Sequence, residues 1–339
     1  MAAKSDFKHT TLLSEIKKRN YKPVYFLMGE EPYFIDLITG YIMDTVLTED
    51  QKVFNQTVVY GKDANVPSII SAARRFPMNA ERQVIVVKEA QDIKDIDELL
   101  VYVENPMKST ILVINYKYKT FDKRKKLYKA VKAKGEIFES ARLYENQVPD
   151  WISGYLKLKK KTIEPKAAIL LTEFLGAELS KIANELDKLI ITLPESETQI
   201  TSHHIEKNIG ISKDYNNFEL NKALSKKDSL KAMKIADYFS KNQKNHPIRL
   251  SIVMLYLFFS KVLLYHSLKD KSKNNAAMAL KVNPFFVAEY EMAAKKYNMN
   301  KVAGIIGLLR KYDMKSMGVG STSIPSGELF RELVFKILH

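Results

Sequence analysis

The chain contains no cysteine. That excludes disulfides, thiolate metal sites and a cysteine nucleophile. Its serines include no G-x-S-x-G elbow, so a hydrolase of that kind is not expected. Of its six histidines, His9, His246, His266 and His339 are scattered. His203 and His204 are adjacent and would point about 100° apart on a helix, so no metal site is expected. No apolar run reaches bilayer length. The most apolar stretch, residues 250–264, is interrupted by Ser251, Ser260 and Lys261 and reads as a buried helix. Residues 1–10 are polar and lack the apolar core of a secretory signal, so a cytoplasmic protein is expected.

What is present is ordinary globular material in quantity. The 339 residues, 46% hydrophobic and 27% charged, are enough for two or three domains with cores of their own. Lysine and arginine number 54 against 39 acidic residues, a net charge of +15. That balance favours an anionic partner such as nucleic acid; the alternative is the lysine-rich surface that an AT-rich genome encodes.

Residues 23–38, PVYFLMGEEPYFIDLI, organise the chain. Residues 24–28 form a short apolar run between Pro23 and Gly29 and predict a buried strand. Pro32 suits the first turn of a helix, and Phe34, Ile35, Ile38 and Ile42 give that helix one apolar face. Strand, glycine turn and helix form the frame of a nucleotide-binding α/β domain. The phosphate chemistry is missing: Gly29, Glu30, Glu31 and Pro32 stand where G-x-x-x-x-G-K-[ST] is required. Two carboxylates would repel a triphosphate, and Pro32 removes a donor. The acidic, magnesium-holding end of another strand is missing too, because Lys88 follows residues 84–87 where an aspartate is expected. Two independent failures predict that the chain does not hydrolyse nucleotide; no catalytic residue and no cofactor are expected.

Further strands are expected at 56–60, 83–87, 110–114 and 136–139, alternating with helices at 66–76, 93–103 and 123–134, after a first helix at 7–20. That alternation predicts a parallel sheet with helices on its faces. From residue 144 the pattern turns helical, with helices expected at 147–158, 165–175, 179–193 and 202–209 and no further strand. Apolar periodicity lapses near 210–217, then seven more helices are expected between 218 and 338, with a loop at 317–326. The fold class is therefore α/β followed by all-α: an α/β domain over 1–143, a small helical domain over 144–212 and a larger helical domain over 213–339.

Two stretches invite a partner. RRFPMNAERQ, residues 74–83, ends a helix and exposes Phe76, Pro77 and Met78 at a turn. Such residues are either a local hydrophobic staple or a plug for a partner's pocket. Residues 117–134 carry Lys117, Lys119, Lys123, Arg124, Lys125, Lys126, Lys129, Lys132 and Lys134 against Asp122 alone, with Tyr116, Tyr118, Phe121 and Tyr128 interleaved. A basic stretch with aromatics binds a nucleic-acid backbone, or it is a solvated face.

In its segments VYFLMGEEPYFI, FPMNAERQVIVV, FDKRKKLYKA, ELDKL and YDMKSMG, in this order and spacing, the chain resembles the family of bacterial DNA polymerase III delta subunits over nearly its full length. The resemblance implies a degenerate AAA+ (P-loop-like) α/β domain, a helical lid domain and a C-terminal helical collar domain. It also implies a clamp-loader subunit that binds and opens the sliding clamp without hydrolysing ATP, within a holoenzyme classed as a DNA-directed DNA polymerase. The implied partners are the sliding clamp (the polymerase III beta subunit), the delta prime and gamma/tau subunits in a heteropentamer, and primer-template DNA; no membrane is implied. The family's clamp contact falls on Met78 and Asn79, with Phe76 and Pro77 beside them. Asn79 departs from the apolar residue usual there, while Arg82 and Gln83 match. Lys117, Lys119, Lys123, Arg124, Lys125 and Lys126 are the candidate DNA contacts. A stand-alone DNA-binding protein on a degenerate nucleotide fold is the alternative.

Overall fold

The computed structural model describes residues 6–209, 215–244, 246–319 and 324–339. The chain divides into two compact units, Met1–Leu143 and Tyr144–His339.

The first unit holds a five-stranded sheet of β1 (Val24–Gly29), β2 (Gln56–Tyr60), β3 (Gln83–Lys88), β4 (Thr110–Lys117) and β5 (Glu136–Ser140). The strands lie in the order β2-β3-β4-β1-β5, every neighbour parallel. A parallel sheet needs helical crossovers that cover both faces, so its central strands are apolar throughout rather than alternating. β1 is buried at every position. Val24, Phe26 and Met28 face a core with Val66 and Ile69 of α4 (Val66–Ala73), Tyr102 of α5 (Leu100–Val103), and Leu127 and Val131 of α6 (Lys126–Lys134). α2 (Pro32–Thr45) packs against β1, β4 and β5 through buried Ile35, Ile38 and Ile42. Its Thr39 hydroxyl donates to Asn115 Oδ1 of β4 at 3.0 Å. Each such apolar side chain contributes roughly 1.5–3 kcal/mol on burial. α1 (Asp6–Lys17) packs on α2.

The expected strands are all present; the helices differ in detail. Residues 93–103 do not form one helix. One 3-10 turn at Ala90–Asp92 precedes them, and a second at Ile96–Leu99 leads into the short α5. Buried Ile93, Ile96, Leu99 and Tyr102 recur every third residue, a spacing that 3-10 winding stacks on one side. β4 runs on to Lys117 instead of stopping at Ile114, α4 stops at Ala73 and α6 starts at Lys126. An unexpected short helix, α3 (Glu49–Asn55), precedes β2.

The second unit is built of α7 (Val148–Leu158), α8 (Pro165–Leu175), α9 (Leu179–Thr192), α10 (Ser202–Ile209), α11 (Asn217–Lys226), α12 (Ser229–Lys241), α13 (Ile248–Ser267), α14 (Lys273–Leu280), α15 (Val287–Lys296), α16 (Met299–Ser316) and α17 (Ser326–Leu338). Contrary to expectation it also contains two strands, β6 (Thr162–Ile163) and β7 (Gln199–Ile200), paired in parallel. They are two residues long, too short to register as apolar alternation. The main core gathers Leu220 and Leu224 of α11, Phe239 of α12, Phe259 of α13, Leu309 of α16 and Phe330 of α17. α13 is long and apolar enough to cross a membrane by length and composition. One face, with Ile252, Leu255, Phe259 and Val262, is buried in this core, while Leu250, Val253, Tyr256 and Leu264 are exposed. Buried Glu219 of α11 joins Lys166 of α8 at 2.7 Å and Lys231 of α12. The division expected between 212 and 213 lies outside the described residues.

Candidate partner-binding turn and filled phosphate loop

Gly29 ends β1 with φ +132°, and a Cβ there would stand 2.0 Å from the Ser140 carbonyl oxygen of β5. Only glycine admits that approach. Gly29 N–H donates to the Lys119 carbonyl at 3.2 Å, and Glu30 N–H to the Ser140 carbonyl at 3.0 Å. Glu31 is buried and caps α2, its carboxylate accepting from Tyr33 N–H at 3.0 Å. Pro32 opens the helix. The backbone donors and the positive helix end that would hold a phosphate are thus answered by the chain's own oxygens.

The neighbouring strand end is filled as well. β1 and β4 pair with Gly29 opposite Lys117. The Lys117 ammonium is 2.8 Å from Asp36 of α2 and 3.4 Å from Glu89 after β3. Its backbone N–H donates to Gln91 Oε1 at 3.0 Å. Burial opposes its charge, but the Asp36 hydrogen bond and the two carboxylates outweigh burial and hold its pKa above the ordinary lysine value. Lys88 lies 5.8 Å from the Tyr60 ring. Among the described residues no group of three or more His, Asp or Glu is placed to hold a metal ion.

The turn after α4 is anchored at root and tip. At the root, Gln83 Nε2 donates to the Arg75 carbonyl at 2.6 Å, and Thr110 Oγ1 donates to the Ala73 carbonyl at 2.9 Å. These bonds satisfy helix-end carbonyls that would otherwise be orphaned. At the tip, the Asn55 side chain brackets the backbone of Met78, accepting from its N–H at 2.7 Å and donating to its carbonyl at 2.8 Å. Gln51 Nε2 donates to the Asn79 carbonyl at 3.3 Å. Between these anchors Phe76 is 79% and Met78 60% exposed, while Pro77 is half-buried. Asn79 is exposed with φ +49°, a left-handed conformation that asparagine tolerates and bulky apolar residues resist. Arg82 stacks 5.3 Å from the Tyr21 ring and donates to the Lys108 carbonyl at 3.1 Å.

The basic stretch is not one helical face. Lys117 is buried in its ion pairs and is not a free surface cation. Lys123 pairs with Glu139 at 2.7 Å, Arg124 with Asp122 at 2.8 Å, and Lys125 with Asp97. The Arg124 hydrogen bonds hold the Asp122 carboxyl at about 2. Lys119 is exposed, 5.6 Å from the Tyr116 ring, and Lys126 is exposed at the start of α6.

Asn55, Gln51, Asp36 and Ser140 are not apparent from sequence alone. The capping box formed by Thr48 and Gln51, visible as T-x-x-Q, is the available signal for α3. Nothing local marks Asp36 or Ser140, whose partners lie far along the chain.

Similarity to known proteins bears on this geometry. Residues 25–141, which carry both the filled loop and the turn, match the family model described as DNA polymerase III, delta subunit. A curated relative, DNA polymerase III subunit delta of Bacillus subtilis strain 168, is 27% identical over 317 residues, covering 89% of this chain and 90% of that protein. The solved structure of a Bacillus subtilis DNA clamp loader delta protein superposes with a TM-score of 0.53 at 24% identity, covering 97% of this chain and 99% of that one, which speaks to the fold. The family-model match lies within the first unit, and the similarity to the curated delta subunit extends over most of the chain.

Proposed function

We propose that this chain is the subunit of a bacterial clamp loader that binds the sliding clamp and opens it, without hydrolysing ATP itself. The observation that carries the reading is the pair Phe76 and Met78, exposed on a turn whose backbone is fixed at both ends. Exposed apolar side chains on a rigid support lose little entropy on docking. Seating each in an apolar pocket contributes roughly 1.5–3 kcal/mol, about one to two decades of affinity. Opening follows if this surface fits the sprung clamp better than the closed one; equal affinity for both would shift nothing.

The filled phosphate loop supports a nucleotide-free role. Energy from ATP then enters through partner subunits of the gamma/tau kind, with delta prime completing a heteropentamer in the cytoplasm. The helices of 213–339, with the exposed face of α13, serve as a collar, and 144–212 as a lid. Primer-template DNA is a partner of the assembly, met through Lys119, Lys126 and their neighbours. Because Lys117, Lys123, Arg124 and Lys125 are already paired with carboxylates, the stand-alone DNA-binding reading is the weaker one.

Calorimetry with the sliding clamp of the same organism tests the site. Wild-type chain binds, and Phe76→Ala with Met78→Ala weakens binding by about tenfold or more. Unchanged affinity in the double variant moves the contact elsewhere; no binding by folded wild-type protein removes the clamp assignment.

A further inference from the structure

We infer that Asn55 is a positioning residue for clamp docking, and that α3 is therefore part of the docking element rather than a spacer between α2 and β2. The inference rests on the clamp reading above and goes beyond it by assigning how the turn is held.

Asn55 is the last residue of α3 and is 3% exposed. Its carboxamide accepts from the Met78 N–H at 2.7 Å and donates to the Met78 carbonyl at 2.8 Å, the pair of bonds a neighbouring β-strand residue would make. Its Nδ2 also reaches the Gln51 carbonyl, one turn back in α3, at 3.1 Å. The bonds fix the backbone of Met78, whose side chain remains free for a partner. Gln51 adds a bond to the Asn79 carbonyl at 3.3 Å. Since that side chain also caps α3 at Thr48 N–H, 3.3 Å away, the same residues that hold the helix hold the turn.

A tip held only at its root would sample many orientations of Met78, and a surface that is competent part of the time binds in proportion to that fraction. Fixing one orientation removes that loss. Asparagine serves because a carboxamide carries both a donor and an acceptor, as needed to bond the N–H and the C=O of one residue. Leucine has nearly the same volume and completes neither.

The test uses the full chain with Asn55→Leu, and Asn55→Ser should the first not fold. Ile38→Val, in the α2 core away from the turn, controls for lost stability. Two readouts are taken: hydrogen exchange at the Met78 amide, and affinity for the clamp by calorimetry. The expected result is faster exchange at Met78 by about tenfold or more, together with clamp affinity lowered about tenfold. Ile38→Val, matched for melting temperature, should change neither. Unchanged Met78 exchange, or affinity within about twofold of wild type while Met78→Ser abolishes binding, overturns the role of Asn55 and leaves the clamp reading standing. Wild-type chain that fails to bind the clamp overturns the clamp reading and this role with it.

Discussion

The Lys117 ammonium stands 2.8 Å from the Asp36 carboxylate, with Gly29 of the phosphate loop directly across the β1–β4 ladder. A lysine and two carboxylates of the chain thus compensate one another at the strand ends where an active relative of this fold would present charge to a ligand. The buried cation depends on these partners. Asp36→Asn should lower stability by about 1–2 kcal/mol in urea denaturation, because it weakens a charged hydrogen bond to a buried lysine. Lys117→Met, which removes the buried charge itself, should cost less than Asp36→Asn.

The same filling predicts that restoring the motif on paper does not restore function. Installing glycine and lysine at Glu30 and Glu31 removes the α2 cap and leaves the Ser140 and Lys119 carbonyls in place. The variant should show no ATP binding by calorimetry at millimolar nucleotide and should melt earlier than wild type. Loss of an N-cap costs about 1 kcal/mol.

Glu289 of α15 is pushed up to about 7 by burial. The unfolded chain ionises this group near 4.5 while the folded chain still holds its proton. Its contribution to stability therefore falls as pH rises between about 4.5 and 7 and is constant above. Glu289→Gln should be more stable than wild type at pH 8 by about 2 kcal/mol and closely matched at pH 4. Chemical denaturation at the two pH values checks this.

Glu219 acts in the opposite sense. Burial disfavours its charge, but Lys166 and Lys231 more than offset that and lower its pKa. Its stabilisation is fully present above the ordinary glutamate value and is lost as pH falls through the depressed one. Glu219→Gln should cost about 1–3 kcal/mol at pH 7 and progressively less in acid.

The basic residues give a salt-dependent prediction. The isolated chain should bind DNA weakly, and reversing Lys119 and Lys126 should lower the slope of log affinity against log salt by about 0.9 for each phosphate no longer neutralised. Clamp affinity should not change.

The sheet was legible because buried parallel strands are continuous apolar runs between turn residues, as in β1, β3 and β4. Glu30, Glu31 and Lys88 set charge against phosphate and metal chemistry in the sequence itself, whereas the turn of Glu31 back onto the Tyr33 N–H appears only in the structure. Three things were not legible. α3 has no buried apolar stripe: Val53 and Phe54 are exposed and only Asn55 is buried, so hydrophobic periodicity is blind to it. Lys117 lies in a lysine-rich run that reads as surface, and its burial depends on Asp36, far away in sequence. The 3-10 turns at Ala90–Asp92 and Ile96–Leu99 share their apolar residues with an α-helical pattern, since spacings of three serve both.

The most direct measurement is ring opening itself. The sliding clamp, labelled with a self-quenching dye pair across one subunit interface, is mixed with this chain alone and without nucleotide. The account predicts that fluorescence rises on addition of wild-type chain and stays at baseline with Phe76→Ser and Met78→Ser combined. A clamp that binds the chain yet stays quenched, or that opens only when ATP is added to the isolated chain, would contradict it.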